Sequence, residues 1–442
     1  MDNVRSSTLP KKYHDAVVRW GETFLPDYKL LLDNWEKFFP HDRRHELCAF
    51  RQCGMCDTIE VGDMAGKPKF ERASEMTPDH ASHLLKAIKA QASTELGSIQ
   101  QHQLTLARAP EEQDQFWVLR MMAEELRHGY QMFSLLLEDD WKAVSDTKGE
   151  DMVEEVLQMR TGSHVLGAFN VDFDSFVDNI VFCALIDRVG KYQLAMQKVS
   201  AYKPMAESMP PMLQEEAFHL ATGVVPIRRW VQSAARGEGY VGMDLLQKII
   251  NKWYPRGLDM FGDERGGGSN VRMGLKPMKN GEAAAQYTAE VEQLIGDLNL
   301  RYVRARFPDI SRQEAQKRLA LIHDEGEAVE GVTRDDLLRL PHPSFFRRRG
   351  IYAYQMLDLD GKPVQDLEEY KKLMLRVLPE AYATARDTTK YFDLMRQVLA
   401  GEVKAQDAVH ILPNLSRVGG VCPCSRAVRW VVDEPTGGNG HS

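Results

Sequence analysis

The chain has 442 residues, of which 43% are hydrophobic and 27% are charged, and its formal net charge is −8. This composition excludes collagen-like, low-complexity and wholly disordered proteins, and the acidic balance argues against a nucleic-acid partner. No run of about 18 apolar residues predicts a membrane span, and the first residues lack the apolar core of a secretory signal. Six cysteines are too few for a disulfide scaffold, so we expect a cytoplasmic protein in a reducing compartment.

Pattern and composition divide the chain into three regions, which we interpret as domains. They are an N-terminal cysteine-bearing extension, a bundle of long amphipathic helices and a C-terminal helical and hairpin extension covering the substrate side, over residues 1–75, 76–235 and 236–442. The bundle region has a clear start, because Thr77 is a favoured N-cap and Pro78 a favoured first helical residue. We therefore expect a mainly α protein.

The C-terminal region contains further elements. Helical patterns cover residues 281–306, 312–322 and 366–400. Residues 351–364 alternate in polarity around Asp360-Gly361, which predicts a small β-hairpin. The final residues, EPTGGNGHS, predict a disordered tail.

Two Glu-x-x-His motifs, Glu125 to His128 and Glu216 to His219, indicate metal chemistry. Residues three apart share one face of a helix, so each pair can hold one metal ion. In a chain with 13 histidines roughly one such match arises by chance, so the motifs alone prove little. The first motif, however, lies on an apolar stripe that includes Met121. A buried carboxylate is costly unless it is paired or bound to a metal.

Two further acids, Glu95 and Asp187, also lie on apolar helical stripes, and they precede the motif glutamates by 30 and 29 residues. The order acid, Glu-x-x-His, acid, Glu-x-x-His is thus an approximate duplication. Four helices that each present such ligands inward form the two-metal site of ferritin-like bundles, and this ligand set suits iron or manganese. The candidate ligands are Glu95, Glu125, His128, Asp187, Glu216 and His219. The alternative is that they are surface or capping residues.

The residues next to the motifs leave two interpretations open. Glu124 and Glu215 precede the motif glutamates and point about 100° away on the helix, so they are either outer partners of the site or solvated. Arg127 and Arg188 are either partners of the site carboxylates or surface residues.

At these motifs the chain resembles the oxygenase subunits of the benzoyl-CoA and phenylacetyl-CoA epoxidase group, which are ferritin-like di-iron proteins. The similar strings lie at residues 184–194, with Asp187 rather than glutamate as the ligand, and at 213–220, 259–262, 269–276 and 340–347. The resemblance covers about residues 80–365. It implies a ferritin-like four-helix bundle with N- and C-terminal additions, and it assigns the six candidate ligands to a di-iron centre.

The same resemblance implies a di-iron monooxygenase that uses O2 and external electrons to epoxidise or hydroxylate an aromatic, benzoyl-CoA-like acyl-CoA thioester. The sequence has no flavin or nicotinamide fingerprint, so we expect electrons from NAD(P)H through a separate flavin or iron–sulfur reductase. Two alternatives stay open: a di-iron N-oxygenase or oxidase with a non-CoA substrate, and a non-catalytic iron-binding protein. The sequence identifies neither the acyl group nor the oligomeric state.

Two other features lie outside these motifs. Arg347-Arg348-Arg349 is either a binding site for the phosphates of coenzyme A or a solvated loop. Five cysteines near the two ends of the chain either form a structural zinc site or are unligated thiols. In the zinc interpretation Cys48 can substitute for one of four converging ligands, namely Cys53, Cys56, Cys422 and Cys424.

Overall fold

A computed structural model describes residues 3–25, 28–38, 45–262 and 268–408. Within these ranges the chain is mainly α-helical, which confirms the predicted fold class, and it contains one two-stranded antiparallel sheet. Cys422, Cys424 and the predicted disordered tail lie outside the described residues.

The N-terminal extension packs a short sheet and small helices against the bundle. Strand β1 (Val4–Ser7) pairs antiparallel with β2 (Ala49–Gln52), in a register that places Val4 opposite Gln52. Between them run helices α1, α2 and α3, over Lys11–Phe24, Tyr28–Asp33 and Trp35–Phe38. Helix α1 is held by its apolar face, because Trp20 is fully buried.

Four long helices form the bundle. They are α4 (Pro78–Leu106), α5 (Glu112–Leu137), α7 (Phe176–Gln197) and α8 (Lys203–Ala235), and the shorter α6 (Gly149–Gln158) packs outside α4 and α5. Helix α4 begins as predicted, with Thr77 Oγ1 accepting a hydrogen bond from the His80 backbone N–H at 3.3 Å. Helices α4 and α5 form one packed pair, α7 and α8 the other, and contacts of α5 with α8 and α4 with α7 join the pairs.

Helix α8 approaches α7 most closely beside the metal-motif residues. A side chain at Gly223, one turn after His219, would begin 2.3 Å from the backbone nitrogen of Ala184, so only glycine fits there. Helix α8 also continues through Pro210, Pro211 and Pro226, although interior proline disfavours a helix. Packing along α7 therefore outweighs the local preference.

The C-terminal region adds helices on the outside of α7 and α8. These are α9 (Met243–Phe261), α10 (Ser269–Arg272), α11 (Asn280–Arg306), α12 (Arg312–Ala320), α13 (Leu367–Val377), α14 (Glu380–Thr384) and α15 (Arg386–Leu399). The patterns at 281–306 and 312–322 correspond to α11 and α12, whereas the pattern at 366–400 is divided among three helices.

The predicted hairpin at 351–364 is wrong in its strands and correct in its turn. Residues Gly350–Tyr354 form a 3-10 helix, and one antiparallel bridge joins Leu357 to Pro363 around the Asp360-Gly361 turn. The bridge is made by the flanking residues, because the Asp358 N–H donates to the Lys362 carbonyl and the Val364 N–H donates to the Met356 carbonyl. The small β element of the fold lies instead at the N-terminus, between β1 and β2.

The three regions share one hydrophobic core, which runs from Leu9 to Ala408 among the described residues. The division into domains therefore stays a prediction, although the bundle helices begin and end where it placed them. In the described part of the chain no helix combines the length and apolarity needed to cross a bilayer.

Candidate metal centre

The bundle brings all six candidate ligands together in its interior. Each side chain comes from a predicted apolar stripe, and none of these residues is more than 6% exposed. Helix α4 supplies one carboxylate, α7 a second, and α5 and α8 each supply one carboxylate and one imidazole. The residues are Glu95, Asp187, Glu125, His128, Glu216 and His219.

Glu125 lies between two groups of ligand atoms. It shares one group with Glu95 and His128 and a second with Asp187 and His219, and within each group the ligand atoms lie within 4.8 Å of one another. Its two oxygens face different imidazoles, at 3.7 Å from His128 Nδ1 and 3.6 Å from His219 Nδ1. Two ligands that each lie ~2.1 Å from one ion are separated by roughly 3 to 4 Å. The spacing is therefore that of a carboxylate shared by two ions.

The remaining contacts complete the two halves. Glu95 Oε2 lies 3.8 Å from His128 Nδ1, and Glu216 Oε2 lies 3.7 Å from His219 Nδ1. The imidazole rings are 5.4 Å apart between centroids. These separations are too long for hydrogen bonds.

Several of these buried atoms have no hydrogen-bond partner within the described structure. A buried polar atom without a partner costs free energy, and such atoms are rare in folded proteins. Here they cluster at one point and are all potential metal ligands. They are Glu125 Oε2, His128 Nδ1, Asp187 Oδ2, Glu216 Oε2 and His219 Nδ1. The donor set therefore fits metal ions, which would satisfy all of these atoms.

Electrostatics point to the same conclusion. Burial, together with the charges of neighbouring acids, raises the pKa values of Glu125 and Glu216 well above the ordinary range. Burial also raises the pKa of Asp187 to about 7. Burial acts on Glu95 in the same direction, but its interactions with the neighbouring Glu125 carboxyl, the His128 imidazole and the Gln91 amide outweigh burial and lower its pKa. Without cations the acids resist ionising together, whereas two divalent cations would balance four carboxylates.

The outer nitrogens of the two imidazoles are bonded crosswise. His128 Nε2 donates to Glu215 at 2.9 Å, and His219 Nε2 donates to Glu124 at 3.2 Å. Each motif therefore holds the histidine of the other motif. With Nε2 as the donor, the lone pair of each Nδ1 faces the centre, which is the tautomer that a metal ligand requires.

Arginines hold these outer carboxylates in turn. Arg120 Nε donates to Glu124 at 3.0 Å, and Arg127 forms an ion pair with Glu215. Glu124 and Glu215 are thus outer partners of the site, which is one of the two interpretations of the sequence. The sequence did not predict that each glutamate would bond to the histidine of the other motif. The sequence feature that could have indicated these bonds is the string Glu-Glu-x-x-His, which occurs in both motifs. Arg188 instead forms an ion pair with Glu290 on α11 and donates to a backbone carbonyl of its own helix, so it contacts no ligand carboxylate in the described structure.

The N-terminal extension covers the histidine side of the centre. The Arg120 guanidinium lies 5.7 Å from the centre of the Trp35 ring, and that of Arg127 lies 5.6 Å from the centre of the Phe50 ring. Strand β2 also binds α5, because the Phe50 backbone N–H donates to Gln131 at 2.6 Å. These contacts shield the outer carboxylates from water.

A cavity of about 200 Å³ lies on the Glu95 side of the centre. Gln91 lines it and donates a hydrogen bond to Glu95 Oε1, so a single side chain connects the cavity to the candidate ligands. Most of the wall is apolar, and the polar lining is supplied by residues of α4, of α7 and the turn that follows it, and of the C-terminal region. Wall residues include Leu84, Met196, Met205, Met260, Phe261 and, among the polar ones, His83, Asn270 and Lys276.

The Arg347 to Arg349 run is only partly available to a ligand. Arg347 Nε donates to Asp259 at 2.9 Å, and Arg348 forms an ion pair with Asp387. The structure describes no hydrogen bond or ion pair of Arg349. Two of the three arginines are therefore neutralised internally.

The described cysteines do not form a metal site among themselves. Cys48 is buried, Cys53 half-buried and Cys56 exposed, and all three are free thiols. No cysteine joins a group with metal-ligand spacing in the described ranges. The structural zinc site stays a prediction, since two of its proposed ligands, Cys422 and Cys424, lie outside the described residues.

The fold and the site geometry define a helical bundle with a shared-carboxylate two-metal centre as its candidate site. The chain belongs to the phenylacetic acid catabolic protein family, whose profile matches residues 55–340. It is also 27% identical over 343 residues to benzoyl-CoA oxygenase component B of Aromatoleum evansii, an alignment that covers 70% of each chain. Both findings confirm the resemblance noted in the sequence.

Proposed function

We propose that the chain is the oxygenase component of a di-iron monooxygenase that acts on an aromatic, benzoyl-CoA-like acyl-CoA thioester. The observation that supports the proposal is the cluster of buried candidate ligand atoms around Glu125 that have no hydrogen-bond partner among the described residues. The substrate class is supported by the family and by the name of the relative, which is an oxygenase component for benzoyl-CoA.

Two iron ions would share Glu125. Glu95 and His128 would complete the ligands of one ion, and the second half of the duplication, Asp187, Glu216 and His219, those of the other. When bound and reduced, the metal pair would supply the activation of O2.

The protein's own groups would hold and orient the reactants. Glu124 and Glu215 would keep both imidazoles in the ligating tautomer. The apolar cavity wall would take the aromatic ring and exclude water, and Gln91 would fix Glu95 at the boundary between cavity and centre. A cavity that is separated from a candidate ligand by one side chain, Gln91, favours an enzyme over a non-catalytic iron-binding protein.

The reaction needs a second protein. One oxygen atom of O2 would enter the substrate and the other would leave as water, which consumes two electrons and two protons. The relative's printed name, component B, supports a separate component, and we propose a flavin or iron–sulfur reductase that takes electrons from NAD(P)H.

Metal analysis and a single turnover test the proposal. The purified chain, loaded with Fe²⁺ without oxygen, should retain about two iron atoms. After chemical reduction and exposure to O2 it should convert benzoyl-CoA to a product heavier by one oxygen atom, as measured by mass spectrometry. Glu125→Ala should lose most of the iron, whereas Glu112→Ala, at an exposed position on the same helix, should not. Full iron content in Glu125→Ala would refute the site.

A further inference from the structure

A second compartment adjoins the cavity of about 200 Å³ that Gln91 lines, which we call the Gln91 cavity. Unlike that cavity, the second compartment is lined mainly by charged side chains. It is a space of about 30 Å³ lined by Arg256, Arg348 and Arg349 together with Asp259 and Asp387, and we name it the arginine cleft. Leu166 and Met260 line both the arginine cleft and the Gln91 cavity. The two compartments therefore share a wall and lie side by side.

The arginine cleft has an excess of positive charge. Its three guanidinium groups are joined by that of Arg347, which is bonded to Asp259. Four positive charges face the two carboxylates of Asp259 and Asp387, which leaves a net charge of +2. The carboxylates are already engaged, since Asp387 pairs with Arg348 and lies 3.7 Å from Arg256.

Donor capacity is left over at two points. Arg348 Nε is buried and has no hydrogen-bond partner in the described structure. Arg349 is half-buried and makes no ion pair with any residue described. Gly167 also lines the cleft, and a side chain there would begin 3.8 Å from both Arg256 and Arg348, at ordinary contact distance. Partly desolvated guanidinium groups with free N–H donors bind oxyanions, and phosphate most of all.

The volume selects a small anionic group. The cleft has a volume of about 30 Å³, far smaller than the cavity of about 200 Å³ beside it, so it suits a small anionic group and not a whole nucleotide. An acyl-CoA thioester has an apolar acyl end and a phosphorylated end, joined by the pantetheine arm. The apolar cavity and the adjoining cationic cleft match these two ends.

We infer that the arginine cleft is an anion subsite that receives a phosphoryl group of the coenzyme A part of the substrate, with Arg349 as the cation that has no ion-pair partner among the described residues. This inference rests on the proposed function. It replaces the idea that the whole Arg347 to Arg349 run binds phosphate, because Arg347 and Arg348 are held by Asp259 and Asp387.

Calorimetric titration of the full iron-loaded chain tests the subsite, with coenzyme A and pantetheine as probes. Pantetheine has the same arm without phosphates. Arg349→Ala should weaken coenzyme A binding by about tenfold to a hundredfold, which is the loss expected for a charge-assisted contact, and should leave pantetheine binding unchanged. Arg349→Lys should recover part of the affinity. Arg334→Ala, at the edge of a separate cavity of about 540 Å³, is the matched control and should bind both probes normally.

Failure of the subsite and failure of the proposed function give different results. If wild-type protein and Arg349→Ala bind coenzyme A equally, or if pantetheine binding falls as much as coenzyme A binding, the subsite does not exist. The proposed function would survive that result, provided that the wild-type chain still oxygenates benzoyl-CoA. If the wild-type chain neither binds coenzyme A nor oxygenates its ester, both proposals fail.

Discussion

In metal-free protein, raising the pH from 5.5 to 8 should lower the free energy of unfolding through Asp187. Burial raises the pKa of this acid to about 7 from the model-compound value of 3.8. The folded state therefore binds a proton that the unfolded state has released, and the stabilisation from that proton is lost as the pH rises through about 7. Between pH 5.5 and 8 the loss from this one group is about 2 kcal/mol.

Urea denaturation of metal-free protein at both pH values measures this loss, and Asp187→Asn provides the comparison. The amide keeps the shape of the neutral acid but has no proton to release, so the variant should lack the 2 kcal/mol dependence. Asp393→Asn, at an exposed position on α15, should behave as the wild type. Parallel pH profiles for wild type and Asp187→Asn would refute the reasoning, whatever the net slope, because buried His45, His102 and His164 have lowered pKa values and add stability as the pH rises in both proteins.

Adding Fe²⁺ or Mn²⁺ should oppose the loss of stability that comes from Asp187. Metal ions bind the ionised carboxylates, so their binding competes with protonation and is tighter at pH 8 than at pH 5.5. Binding to the folded state alone stabilises it by an amount that grows with metal concentration. The metal-dependent gain in urea midpoint should therefore be larger at pH 8, and it should be absent if the acids are not ligands.

Two further predictions concern the outer carboxylates and the helix contact. Glu124→Gln should weaken Fe²⁺ binding by about tenfold to a hundredfold in a metal titration, because His219 Nε2 loses its charged acceptor; unchanged affinity would contradict the role given to Glu124. Gly223→Ala should lower the free energy of unfolding by about 1–3 kcal/mol, because the added carbon meets the Ala184 backbone. Gly296→Ala, in α11 with open space around it, should raise stability by about 0.5–1 kcal/mol, and the same change at both positions would contradict the packing argument.

The burial and convergence of the six candidate ligands could be predicted because helical periodicity is a local property. On α5 the spacing of Met121, Glu125, His128 and Met132 places the acid and the base on the same face as apolar side chains. The structure shows that this face is buried. A charged residue on a buried helix face must be paired or bound to a metal to be stable. Because such residues recur on four helices, a metal site is the simplest explanation.

The ion pairs of Arg347 and Arg348 could not be predicted, because their partners lie far away in the sequence. Arg347 bonds to Asp259 and Arg348 to Asp387, residues 88 and 39 positions away. Nothing in a local string distinguishes an arginine that meets a buried carboxylate from one that faces a ligand. The hairpin prediction failed in its strands because alternation and the Asp360-Gly361 turn are local signals, whereas Gly350–Tyr354 adopt a 3-10 helix instead of a strand.

The crosswise hydrogen bonds show how a duplicated motif can become one unit. If Glu124 had held His128, and Glu215 His219, each half could in principle lose its metal independently. Because each glutamate holds the histidine of the opposite half, a displacement of α5 disturbs its own ligands and the orientation of His219 on α8 as well. Glu125 adds a second link, since its oxygens face both imidazoles. The two halves of the centre are therefore coupled through both the shared carboxylate and the outer ones, and loss of one half should weaken the other.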